Sequence, residues 1–269
     1  MEQALATSEV TKREYVVEQD GEQRIWDARY LPLSPGPGQP PDQLLLVATD
    51  VTEQRAAQEA RLEAAIAQRE MLVKEVHHRI KNNLQGVAGL LQQIAQRKPE
   101  VAGPISEIVG QVQAIAQVYG LQVGESGPLQ LVGVVKAITG SVQRTFGHVI
   151  RFEVTGQEPE RWMLPEAEAI PIALTLNELL TNAVKHSALA PDAVVLCTLA
   201  CAESDVEVLI RNAGTLPEGF NLARVPGGVS GLGLVRALLP RRSARLLLSQ
   251  QGSEVLAAVL LSPPGVTRT

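Results

Sequence analysis

Between Thr52 and Arg97 the apolar positions Leu62, Ile66, Val73, Val76, Ile80, Val87, Leu91 and Ile94 recur at near-helical spacing, with no proline and with Gly86 and Gly89 as the only glycines. A period of three to four residues lays one apolar stripe along a helix, so one long helix is predicted over the whole segment. The same register passes through Arg69 and Asn83, which suits bundle packing better than a strict heptad coiled coil. Pro99 and Gly103-Pro104 interrupt the pattern, and Ile105 to Leu121 resume it through Ile108, Val112, Ile115 and Val118. The expectation is an antiparallel helical hairpin. One hairpin has too little core to stand alone, so a second copy is expected to complete a four-helix bundle and make the chain a homodimer.

Upstream the pattern changes to strands. Glu14 to Val17 leads to Asp20-Gly21, a strong two-residue hairpin signal, and Arg24 to Leu33 follows. A Pro- and Gly-rich loop, Ser34 to Pro41, separates these from a third strand, Leu44 to Ala48. Downstream of a linker at Gly124 to Gly127, the chain reads as a helix (Leu131 to Phe146), a strand (Val149 to Val154), a helix (Ala167 to His186) and strands around Val194 to Leu199 and Val206 to Ile210. A glycine-rich region and closing strands complete an α/β sandwich. The expected fold class is α+β and multidomain: an antiparallel sheet in residues 1–52, a helical hairpin in 53–124 and the sandwich in 125–269.

Composition narrows the partners. No window holds the eighteen or so uninterrupted apolar residues of a membrane span, and Met1 to Glu9 shows neither the basic start nor the apolar run of a signal peptide. A net charge of −5 provides no electrostatic footprint for nucleic acid or an anionic membrane. Cys197 and Cys201 have no histidine or further cysteine near them in sequence, which argues against zinc and disulfides and fits a reducing cytoplasm. With aromatics at 3%, the cores must be aliphatic.

Four segments carry candidate chemistry. The first is Glu75-Val76-His77-His78-Arg79-Ile80-Lys81-Asn82-Asn83-Leu84-Gln85. With Val76, Ile80, Asn83 and Val87 facing the bundle, helical rotation turns His78 outward and leaves His77 at the edge of the seam. In-line attack on phosphorus requires an exposed imidazole with a free ring nitrogen. Asn82, one turn after His78, can bond a phosphoryl oxygen or a water, whereas Lys81 follows His77. His78 is therefore the candidate acceptor, and His77 is expected to orient the neighbouring backbone or a carboxylate such as Glu75. The second segment runs from Asn177 to His186, where helical spacing puts Glu178, Asn182 and Lys185 on one face, suited to a Mg-triphosphate. The third, Leu209 to Phe220, carries Asn212 and Gly214; the fourth, Gly227 to Val235, is rich in glycines that let backbone amides approach phosphates at a helix start.

The string H-H-R-x-K-N-N-L-Q resembles the phosphoacceptor box of histidine kinases related to the HWE group, although the W-x-E signature of the HWE kinases proper is absent. In chain order, the other three segments resemble the N, G1 and G2 boxes of the GHKL (Bergerat) ATPase fold. Ala48 to Gln54 resembles the closing strand and D-[IV]-T-E junction of PAS domains, covering only the second half of such a module. The resemblance implies that Asn182 coordinates Mg²⁺, that Glu178 polarises water or supports the metal shell, and that Lys185 and His186 contact phosphates. It further implies that Asn212 and Gly214 meet the adenine, that Gly231, Leu232 and Gly233 serve the phosphates, and that Ser253 lies beneath the base. The family usually has aspartate where this chain has Asn212, so Asn212→Asp is expected to tighten nucleotide binding. The implied function is that of a sensor histidine kinase of a two-component system, which phosphorylates its own helix histidine from Mg-ATP and passes the phosphoryl group to a response-regulator aspartate. Two alternatives remain open. Asn212 motivates a pseudokinase that sequesters a regulator, and Asn82 a kinase biased towards phosphatase action. Residues 1–52 contain no Cys and no His, and no haem or flavin is expected there.

Overall fold

The computed structural model describes residues 9–19, 21–34, 36, 41–123, 127–187, 194–229 and 231–269. Asp20 and most of the predicted loop and linker, at Ser34 to Pro41 and Gly124 to Gly127, lie outside them, as does Ser230. Contacts divide the chain into two units, residues 1–71 and 72–269.

In the first unit, β1 (Thr11–Gln19), β2 (Glu22–Leu33) and β3 (Gln43–Asp50) form an antiparallel sheet in that order. Gln19 pairs with Glu22, the register of a two-residue hairpin. The apolar core here is small: Ala28 and Tyr30 are buried, with Leu44 against them. A polar joint leads into α1 (Thr52–Arg97). Asp50 Oδ1 accepts the Thr52 amide at 3.0 Å and its hydroxyl at 2.6 Å, while Thr52 Oγ1 accepts the Ile25 amide of β2 at 2.8 Å. The Thr52 hydrogen bonds hold the Asp50 carboxyl below its ordinary value. Arg55 on α1 also pairs with Glu14 on β1.

In the second unit, the later part of α1 turns through a 3₁₀ turn at Pro99–Val101 into α2 (Ala102–Gln122). Pro104 sits within the first turn of α2, where a missing N–H costs little. The predicted hairpin forms, and only part of the predicted seam, Ile80 and Leu91, packs towards α2. Facing α2, the covered positions of α1 are His77, Ile80, Lys81, Leu84, Ala88, Leu91 and Ala95, whereas Val73, Val76, Val87 and Ile94 are 37%, 52%, 46% and 44% exposed. Apolar spacing alone could not separate the stripe facing α2 from a neighbouring stripe that α2 leaves open.

Beyond the hairpin come β4 (Leu129–Gln130), α3 (Leu131–Phe146), β5 (Ile150–Gly156), β6 (Trp162–Leu164), α4 (Glu166–Ser187), β7 (Val195–Cys201), β8 (Val206–Ala213), α5 (Gly231–Leu238), β9 (Ala244–Gln251), β10 (Glu254–Leu261) and β11 (Thr267–Arg268). The main sheet has order β5-β7-β8-β10-β9, with β5 parallel to β7 and the other pairs antiparallel. A small sheet, β11-β6-β4, stands beside it; strands this short carry no readable alternation. Strict alternation along β7 and β8 points Val195, Cys197, Leu199, Val206, Val208 and Ile210 into one core with Val134, Ile138, Ile172, Leu176 and Leu180 of α3 and α4. Ala114 and Val118 of α2 join that core, so the hairpin's second helix is anchored to the α/β layers. Each fully buried Leu or Ile contributes about 1.5–3 kcal/mol. No described helix is long and apolar enough to cross a membrane.

Candidate functional site

The candidate residues fall in two places, and the hairpin holds the first. His78 is exposed on α1, and its Nδ1 lies 3.3 Å from Asn82 Nδ2, one turn on. With the amide in that orientation, Asn82 donates to Nδ1 and the ring proton stays on Nε2. Rotating the amide by half a turn makes Asn82 Oδ1 the acceptor of an Nδ1 proton and leaves the Nε2 lone pair facing solvent. A phosphoryl acceptor needs the second arrangement. Glu75 is bonded to Arg79 at 2.7 Å, and that guanidinium holds its carboxyl below the ordinary value. Glu75 is therefore engaged away from His77, contrary to the role suggested by sequence. His77 packs its ring against Tyr119, centroids 5.6 Å apart and tilted by 57°, with Nδ1 buried and unpartnered. It lies within the hairpin seam and not at its edge.

The second place is a cavity of about 360 Å³ between α4, the sheet and the start of α5. Its walls are apolar, formed by Leu179 and Ala183 of α4, Ile210 of β8, Leu248 of β9, Val255 and Ala257 of β10, and Leu216 and Phe220 beyond β8. Polar groups enter at few points: Asn182 and His186 from α4, Asn212 from β8, and Thr215. An apolar slot with sparse, directed polar groups is a general design for holding a flat heterocycle. Buried Asn212 donates from Nδ2 to the Ala213 carbonyl at 2.8 Å, which satisfies half of its amide and leaves Oδ1 as an acceptor.

Where α5 begins, beside the cavity, the backbone is tightly specified. Gly231, at φ +61°, opens α5 and donates its amide to Glu178 Oε2 at 2.7 Å. A Cβ on Gly233 would stand 2.6 Å from Gly228 N and 2.7 Å from Pro226 O, so only glycine lets the preceding loop cross the helix there.

Of the residues named from sequence, Asn182, His186, Asn212, Gly231 and Leu232 line the cavity. Buried Glu178 lies beside it, on the Gly231 amide, and Gly214 is fixed at its margin by donating to the Ser253 carbonyl at 2.9 Å. Lys185 turns away to Glu107 of α2, at 2.8 Å. Ser253 is not brought to the cavity: it is exposed in the β9–β10 turn, and Val255 and Ala257 supply the wall from that strand. The apolar wall was missed in the sequence reading. Its only signal was the alternation of β8 and β10, which marks inward positions without saying what they enclose. Cys197 is buried, which pushes its thiol up to about 11 and leaves it without thiolate character at neutral pH.

The comparisons with known proteins agree with this arrangement. Residues 75–145 match the histidine kinase family model and residues 1–56 the PAS fold model. The sensor histidine kinase PdtaS of Mycobacterium tuberculosis is 30% identical over 202 residues, an alignment spanning 71% of this chain and 38% of that protein. PdtaS of Mycolicibacterium smegmatis is 30% identical over 199 residues, with the same coverage of 71% and 38%. The chain thus spans well under half the length of these relatives. The histidine kinase domain of the Erythrobacter litoralis EL346 blue-light activated histidine kinase shares the fold, with a TM-score of 0.51 at 16% identity, over 72% of this chain and 94% of that one. The fold is that of a helical hairpin joined to an α/β sandwich, as in that histidine kinase domain. Within that architecture, residues 75–145 carry the histidine kinase family match, a PAS-fold match precedes them, and the chain is similar to sensor histidine kinases.

Proposed function

We propose that the chain is an ATP-dependent protein-histidine kinase acting in the cytoplasm, and that residues 1–52, 53–124 and 125–269 serve as sensor, phosphotransfer and catalytic segments. The observation that carries this reading is the cavity: an apolar slot of about 360 Å³, roomy enough for an adenine, lined by Asn182, His186 and Asn212 and by Gly231 at the start of α5. Asn212 Oδ1 accepts a hydrogen bond from the adenine amino group, and the apolar side chains of β8, β9 and β10 enclose its ring. His186 and Lys185 provide positive or donor groups for the phosphates, and Gly231 to Gly233 provide backbone amides at a helix start. Asn182, with buried Glu178 one turn earlier on α4, offers the oxygen donors a magnesium ion takes beside phosphate oxygens, and that ion would neutralise phosphate charge.

His78 is the acceptor. Its Nε2 lone pair forms the N–P bond as the bond from the γ-phosphorus to ADP breaks, and Asn82 holds the ring in the competent tautomer. From His78 the phosphoryl group passes to an aspartate of a response-regulator receiver domain. The stripe Val73, Val76, Val87 and Ile94, left open in one chain, is covered by the same stripe of a second copy, completing a four-helix bundle. Incubation of the purified chain with γ-labelled ATP and magnesium tests the reading. Label stable to base and labile to acid is expected; a chain that binds ATP and never acquires label would favour the sequestering or phosphatase alternatives.

A further inference from the structure

Helix α2 reaches across to the catalytic layer at the end of the cavity where a triphosphate would lie. Glu107 accepts from Lys185 Nζ at 2.8 Å. One turn on, Gln111 Nε2 donates to Glu178 Oε1 at 2.9 Å and to the Val229 carbonyl, in the loop ahead of α5, at 3.2 Å. Between them, Gly110 lies so close to α4 that a Cβ there would stand 3.3 Å from Asn177 Nδ2. The other oxygen of Glu178, Oε2, holds the Gly231 amide at 2.7 Å. Two donors assigned to phosphate, the Lys185 ammonium and the Gly231 amide, are thus each bonded to a carboxylate of the chain itself. A carboxylate and a phosphate compete for the same donors because both are anionic oxygen acceptors.

We propose that Glu107 and Gln111 of the hairpin make α2 an intramolecular competitor for the nucleotide's phosphate tail, Glu107 by occupying Lys185 and Gln111 by holding Glu178 on the Gly231 amide. This rests on the nucleotide reading of the cavity. The adenine end has no part in the competition, since neither residue lines the slot. Any movement of α2 that withdraws both side chains raises affinity for the phosphate tail, and phosphate binding favours that withdrawal by the same factor. Nucleotide affinity thereby becomes a readout of the hairpin's position.

The test compares ligands that differ only in the tail. Affinities for a non-hydrolysable ATP analogue with magnesium, and for adenosine, are measured by calorimetry on the full chain and on Glu107→Gln and Gln111→Met. Both replacements favour helix and preserve side-chain length. Releasing one partly exposed contact should tighten the analogue roughly three- to tenfold in each variant, with adenosine unchanged. Gln111→Met matters most, because it changes no charge. Tightening by Glu107→Gln alone would assign the effect to net charge and overturn the proposal. So would an unchanged analogue affinity, or an equal shift for adenosine, which marks a general structural effect. If neither ligand binds the unaltered chain, the nucleotide reading itself falls and the competition with it.

Discussion

The proposed acceptor histidine and the proposed nucleotide cavity are built in opposite ways. His78 stands on a solvent-facing helix surface, and Asn82, which bonds its ring, is four residues away in sequence and 3.3 Å away in space. The cavity gathers α4, β8, β9, β10 and α5, so that Asn182 meets Val255 and Leu248 only because the whole sandwich folds. A site made of local spacing can be altered at little structural cost, and its defects should be chemical. A site made of distant elements mixes chemistry with packing: truncating a buried Leu176 or Leu180 there would cost about 2–5 kcal/mol before any substrate is involved.

The sharpest way to break this contrast is at Asn182 in the cavity wall. Asn182 is half-exposed and is not part of the core, so Asn182→Ala should leave the melting temperature nearly unchanged while lowering label incorporation by about a hundredfold or more, a loss typical of a removed metal or charge-stabilising group. Substantial labelling in a well-folded Asn182→Ala chain would remove it from the site. At the local site the expected effect is smaller. Asn82→Ala should reduce labelling about tenfold, less than the loss of a general acid or base because only the tautomer preference goes, and Asn82→Asp should restore much of it, because a carboxylate also accepts the Nδ1 proton. Equal rates in all three chains would show that the contact does not select the tautomer.

Smaller still is the effect at Asn212, where the structure adds a cost invisible in the sequence. An aspartate would present an oxygen to the Ala213 carbonyl that now receives the amide N–H at 2.8 Å. Asn212→Asp is therefore expected to weaken nucleotide binding about threefold, where the residue type alone suggested tightening. Calorimetry showing tighter binding would mean that the local backbone adapts. The smallest effect belongs to the joint before α1. Bonds from Thr52 hold the Asp50 carboxyl below its ordinary value. The stabilisation is thus fully present above a pH of about 3.9, and is lost as pH falls through the lowered native value. Circular dichroism between neutral and acid pH should show helix loss with a component that Asp50→Asn lacks. Identical profiles would detach the joint from the helix.

How legible each region was follows from the same contrast. The long helix was readable because its apolar positions repeat over the whole of Thr52–Arg97, and the outward position of His78 follows from rotation along it. Which part of the stripe meets α2 was not readable, because α1 carries adjacent apolar stripes and only the contact with α2 separates them. In the sandwich, the polar residues announced themselves as motif strings, whereas Leu248, Val255 and Ala257 looked like any inward strand position. Ser253 matched a motif by type, yet the turn carries its side chain outward. The partnership of Lys185 with Glu107 joins helices far apart in sequence, and no periodicity foreshadows it.

The central claim is that the two sites act on one phosphoryl group and that it ends on His78. Autophosphorylation from γ-labelled ATP, compared between His77→Gln and His78→Gln, tests it most directly. Glutamine suits a helix and stays polar, so neither replacement should unfold α1. The account predicts that His78→Gln takes up no label, while His77→Gln keeps it, with a slightly lower melting temperature from the lost ring contact with Tyr119. Label that disappears from His77→Gln and persists in His78→Gln would contradict it.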